Sequence, residues 1–149
     1  MNSREKINAS SDTLIELLAA QCADLEQLLR LARAEASAAE RRDFEAILEI
    51  VTERAALGER LEIFERRVAE LRGFLGGAAD QLWRGPAARQ AAELAALTLA
   101  EDRRTALVLA AARDEAAGEL RNLDRSQTMI GRYCGGGEPN KGLAYSRSF

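Results

Sequence analysis

The chain has 149 residues, with 21 Lys and Arg against 24 Asp and Glu, no histidine and a net charge of −3, so it lacks the cationic excess that phosphate contacts require. Ala, Leu, Glu and Arg dominate and only two prolines interrupt them, which is the composition of long helices rather than sheets. A chain of this length buries enough surface to fold without a metal or disulfide.

The first segment, MNSREKINASSD, is polar and has no apolar core, so it does not read as a secretory signal, and residues 1–11 are expected to be disordered. No later stretch approaches the ~20 uncharged apolar residues of a membrane span. The expected location is therefore the cytoplasm, with Cys22 and Cys134 as reduced thiols.

Thr13 and Glu16 have the spacing of a capping box, and a helix is expected over residues 12–40. Ile15, Leu18, Cys22, Leu25, Leu29, Ala32, Ala36 and Ala39 alternate at three and four residues, with Leu14, Leu17, Leu28 and Leu31 widening the stripe. The pattern fails at Glu40–Asp43, where Asp43 is a good N-cap. A tight turn there folds the next helix back, although without Gly or Pro a single bent helix is the alternative.

Residues 43–75 form the organising helix, roughly 50 Å long. Ile50, Leu57, Leu61, Phe64, Val68, Leu71 and Leu75 make its seam once Arg54 occupies one position. Gly76-Gly77 predicts a kink or short break, since two glycines cost about 2 kcal/mol in a helix interior. Gly85-Pro86 is a firmer boundary, with Trp83 just before it as an apolar plug at the bundle end.

A third long helix is expected over residues 86–133. Ala92, Ala95, Leu99, Ala106, Leu109, Ala116, Leu120 and Leu123 form its main stripe, with Leu94, Thr98, Thr105, Val108 and Ala112 beside it, and Gly118 and Arg125–Thr128 as weak points. The remaining stretch is rich in glycine and is expected to be a flexible tail over 131–149 that nonetheless ends in Leu143, Tyr145 and Phe149. The fold class is all-α: an antiparallel bundle of three long helices with coiled-coil-like packing over 12–130. Ile15, Leu25, Leu57, Leu61 and Phe64 are expected in its core, and the wide stripes predict a homodimer.

Little in the chain suggests catalysis. The absence of histidine removes the usual triads, His-ligated zinc sites and Glu-x-x-His di-iron motifs. The tail stretch GGGEPNKG fails as a phosphate loop, because Asn140 stands where Gly is required before Lys141 and Gly142 replaces Ser or Thr. Glu59, Glu62 and Glu65 sit beside arginines on helical surfaces, and the pairs Arg41/Arg42, Arg66/Arg67 and Arg103/Arg104 read as solvated faces. No enzyme, cofactor or metal is expected.

One further pattern is a leucine-rich helix (Leu17, Leu18, Leu25, Leu28, Leu29), an acidic-alanine shoulder at Glu35, an Asp-led turn at Asp43-Phe44, then Ile47-Leu48, Glu53-Arg54 and Leu57–Leu61. Over residues 12–75 this resembles the FlgN-type flagellar export chaperones. The resemblance implies a cytoplasmic chaperone that binds the C-terminal segments of hook-filament junction proteins and delivers them to the flagellar type III export gate, holding its substrate on the C-terminal region. On this chain the expected partner-binding residues are Leu120, Leu123, Met129, Ile130 and Tyr133 with Leu143, Tyr145 and Phe149 of the tail. A structural coiled-coil or oligomerisation module with no export substrate is the alternative, in which the first five residues simply finish the bundle.

Overall fold

A computed structural model describes residues 2–134, all of it helix and turn with no strand among the described residues. Four helices follow in order: α1 (Ser3–Glu40), α2 (Phe44–Leu75), α3 (Gly77–Trp83) and α4 (Pro86–Cys134). The chain divides into two units, one reaching Val108 and the other beginning at Leu109, so α4 contributes to both.

Helix α1 starts at Ser3, not near residue 12, so residues 3–11 of the segment expected to be disordered are helical. The Glu5 carboxylate accepts the Asn2 backbone N–H at 3.1 Å, satisfying a donor that the helix start would otherwise leave open. Thr13 is thus inside the helix, where its hydroxyl donates to the Ala9 carbonyl at 2.9 Å instead of capping. The buried stripe runs Leu14, Leu18, Cys22, Leu25, Leu29, Ala32, Ala36 and Ala39. Ile15 was expected to open it but is 49% exposed. Counting back from Cys22 through Leu18, the next step of four lands on Leu14, and Ile15 lies about 100° farther round.

The chain reverses at Arg41–Arg42. Arg42 takes φ 58°, its N–H donates to the Ala39 carbonyl at 3.1 Å, and the Asp43 N–H donates to the Ala38 carbonyl at 2.9 Å. These two bonds form a Schellman closure with Arg42 in the left-handed position. Asp43 then caps α2 by accepting the Ala46 N–H at 3.1 Å. The turn is therefore a true helix hairpin, and a single bent helix does not form.

Along α2 the expected seam holds: Leu57, Phe64, Val68 and Leu75 are buried and Ile50, Arg54, Leu61 and Leu71 half-buried. Arg60 pairs with Asp24 and Arg54 with Glu35, so positions descend on α2 as they rise on α1 and the two run antiparallel. At Gly76 the backbone turns to φ 56°, ψ −124°, which separates α2 from the short α3. One apolar cluster joins Leu14 and Leu18 to Phe64, Val68, Leu75 and Ala79, with Trp83 packed against it. Trp83 also lies under the Arg72 guanidinium, 4.8 Å from ring centroid to cation.

Pro86 opens α4 at a position where its missing N–H costs nothing. A second cluster sets Ala91 against Cys22 and Leu25, with Leu28, Leu61 and Leu94 around them. The inward face of α4 in this unit is Ala91, Thr98 and Thr105, with Leu94, Glu101 and Val108 half-buried. The expected main stripe is displaced: Ala92, Ala95, Leu99 and Ala106 are exposed, Leu99 by 51%. The flanking set is the buried one, because the seam here must accommodate a charged group.

Candidate functional site

That charged group is Arg54. Its guanidinium enters the space between three helices and meets Glu35 of α1 at 2.5 Å and both oxygens of Asp102 of α4 at 2.7 and 2.9 Å. The bidentate bond to Asp102 is the main reason that Arg54 is held more firmly protonated than usual, desolvation opposes it and the Glu35 bond adds to it. Thr98, Glu101 and Thr105 line the same α4 face. Glu101 faces Arg33 at 4.0 Å and Arg104 at 3.7 Å, and one Glu101 carboxylate oxygen and the Thr105 hydroxyl are buried without a hydrogen bond. In the sequence the only trace of this cluster was an arginine occupying a seam position. Its geometry ties α1, α2 and α4 together in register.

The second unit is, among the described residues, the α4 stretch 109–134, unbroken through Gly118 and through Arg125–Thr128. Thr128 returns its hydroxyl to the Asp124 carbonyl at 2.9 Å, so the polar run is accommodated inside the helix. At about 100° per residue, Leu109, Ala112, Ala116, Leu120, Leu123 and Ile130 fall within one arc of roughly 80°. Leu120, Leu123, Met129, Ile130 and Tyr133 are all exposed, Tyr133 by 85%. The helix brings Leu120, Leu123 and Ile130 onto one face, sets Tyr133 at its margin and turns Met129 about 100° away from Ile130. Leu143, Tyr145 and Phe149, and with them most of the expected tail, lie outside the described residues, while residues 131–134, which were assigned to that tail, are the last turn of α4.

Such a face can hold an apolar helix of a partner by side-chain packing. Among the described residues no group of three or more Cys, Asp or Glu side chains is placed to hold a metal ion, and no helix is long and apolar enough to cross a membrane. No protein-family model, curated protein or solved structure matches the chain.

Proposed function

We propose that this chain is a cytoplasmic export chaperone of the FlgN type, without enzymatic activity or cofactor. On this reading α1, α2 and α4 make an antiparallel bundle of three long helices with coiled-coil-like packing. The late α4 face receives an amphipathic helix from the C-terminal segment of a hook-filament junction protein, keeps it unassembled and passes it to the type III export gate. The observation that carries the reading is the exposed line Leu120, Leu123 and Ile130 on a helix stretch in which every residue from Glu119 to Cys134 is exposed. An apolar line of that kind on a lone helix is the recognition surface of helix-in-groove binding.

The alternative, a structural oligomerisation module, gives the same line to a second copy of the chain. Residues 109–134 favour it in one respect: four Arg balance four Asp and Glu, so like copies meet without net repulsion.

Calorimetry with the C-terminal segment of a filament-junction protein tests the proposal. Leu120→Ser/Leu123→Ser should leave helicity and melting temperature unchanged and weaken binding at least about tenfold, or ~1.4 kcal/mol. Deleting residues 131–149 should weaken it similarly. No binding by the intact protein, together with a dimer that the double variant dissolves, would establish the module.

A further inference from the structure

The first unit carries an apolar face that the proposed chaperone function does not use. On α2, Phe44, Leu48 and Val51 are exposed, as is Ala55, at the three-four spacing of a single helix face. On α4, Ala95, Leu99 and Ala106 are exposed in the same way. Neither set lies on the seam that α1, α2 and α4 bury.

Ion pairs fix where these faces point. On α2 the Arg60–Asp24 pair marks the side toward α1, and Arg54–Asp102 marks the side toward α4. Continuing round α2 past Arg54, away from α1, come Ile47, Glu65 and Gly58 and then Val51, Phe44, Ala55 and Leu48. On α4, Gln90–Glu26 and Arg104–Glu40 mark the side toward α1, and Asp102 the side toward α2. Past Asp102 come Ala95, Ala106 and Leu99. Both stripes therefore flank one groove, on the outer side of the Arg54–Asp102 pair. Because α2 descends where α4 ascends, Leu48 and Val51 stand level with Ala106, and Ala55 stands level with Leu99.

The edges of the groove carry charge. Along α2, Glu45 and Glu59 lie next to the stripe with Glu49 farther round, and none of the three has an ion pair or hydrogen bond among the described residues. Glu62, on the stripe itself, meets Arg66 of its own helix at 3.9 Å. The cations of this half of α2 are paired with α1 and α4: Arg54 with Glu35 and Asp102, Arg60 with Asp24. The α4 edge offers Arg103 with Arg89 farther round, both likewise without an ion pair among the described residues. A second copy laid stripe to stripe along α2 would face these free carboxylates with its own.

We infer that the α2–α4 groove is a docking site for a cationic amphipathic helix of a partner protein, with leucine-like side chains over Phe44, Leu48, Val51 and Leu99 and Lys or Arg toward Glu45 and Glu59. The helix completes a four-helix layer over the Arg54–Asp102 pair. From Phe44 to Ala55 the floor is about 17 Å long, so three to four turns of partner helix cover it. The site is separate from the late α4 face and stands whether or not that face binds an export substrate.

The test uses the full chain and a labelled helical peptide of about 18 residues, with a leucine stripe at three-four spacing and lysines along its flanks, against the same peptide with glutamates in place of the lysines. Anisotropy should show the lysine peptide binding at least about tenfold more tightly than the glutamate peptide. Leu48→Ser/Leu99→Ser changes only exposed positions, so its helicity and melting temperature should match the parent, and it should lose that binding at least about tenfold. Leu120→Ser/Leu123→Ser should bind like the parent. Equal affinity for the two peptides, no binding, or loss in the late α4 variant with none in Leu48→Ser/Leu99→Ser overturns the proposal. So does a parent dimer in sedimentation that Leu48→Ser/Leu99→Ser dissolves, which would give the groove to a second copy. Tighter peptide binding after removal of residues 135–149 would give it to the chain's own end and overturn the proposal equally.

Discussion

Arg54 and Asp102, on different helices, are joined by two parallel hydrogen bonds of 2.7 and 2.9 Å. Glu35 closes the group from α1 at 2.5 Å, and its side chain is the most enclosed of the three. Removing the cation strands that carboxylate. Arg54→Ala should therefore cost about 2–4 kcal/mol in urea unfolding, most of it from Glu35. Asp102→Ala should cost about 1 kcal/mol or less, because Asp102 is partly solvated and its charge is screened. Replacing all three together with Met or Leu of similar volume should be close to neutral, since the desolvation of the ions disappears along with their attraction. An Arg54→Ala loss below about 0.5 kcal/mol would show that water already solvates the group.

Adjacent residues at the start of the α1 stripe make a second test. Leu14 is fully buried among Leu18, Phe64 and Val68, whereas Ile15 faces solvent. Leu14→Ala should cost about 2–5 kcal/mol through lost burial and the cavity it leaves. Ile15→Ala, of similar size and one position away, should cost less than about 1 kcal/mol. Comparable losses would place the stripe one residue later.

The contrast between Leu14 and Ile15 shows what hydrophobic period can and cannot locate. From Leu18 through Ala39 the unbroken three-four series is buried at every member, and from Leu57 to Leu75 the series is buried at Leu57, Phe64, Val68 and Leu75 and half-buried at Leu61 and Leu71. At the start of α1, Leu14 and Ile15 both satisfy a three-or-four step to Leu18, so period alone leaves the choice open. On α4 it selects the wrong face. Ala92, Ala95 and Leu99 are more apolar than Thr98, Glu101 and Thr105, yet the polar set turns inward, an orientation that brings Asp102 to Arg54. The two residues are 48 positions apart, and a window of one or two turns contains no sign of the pairing. On late α4, Leu120, Leu123 and Ile130 share one helix face by spacing alone, whereas Met129, one residue before Ile130, turns about 100° away from it.

The break between α2 and α3 supplies the third prediction. Gly76 holds φ 56° and ψ −124°, a region that an L side chain enters only with strain. Gly77 is already helical, and an added Cβ there would meet nothing within 4 Å. Gly76→Ala should therefore destabilise by about 1–3 kcal/mol, and Gly77→Ala should be neutral or stabilise by up to about 1 kcal/mol. Thermal melts of the two single variants should move in opposite directions or differ by several degrees. Equal melting temperatures would mean that the chain crosses this point as continuous helix.

The two thiols should separate cleanly. Cys22 is buried where α1 meets α4, its Sγ donates to the Ala87 carbonyl at 3.4 Å, and burial, then the nearby Glu26 carboxylate, push its pKa above the ordinary thiol value. Cys134 is exposed on the last turn of α4. With a disulfide reagent at pH 8 the Cys134 thiol should react at once and Cys22 at least about a hundredfold more slowly, its rate rising with urea as the fold opens. The same shift sets a pH dependence. Below about pH 8.5 the thiol is protonated in both folded and unfolded chains, so the stability that its neutral form contributes is fully present. Above that pH the unfolded chain loses the proton first, it then binds fewer protons than the native state, and unfolding free energy falls as pH rises toward the folded value. Cys22→Ala should flatten this alkaline decline relative to the parent, measured by urea unfolding from pH 7 to pH 10. Equal reaction rates for the two thiols, or an identical alkaline slope in Cys22→Ala, would show that Cys22 is open to solvent and that α4 does not seal against α1 at this level.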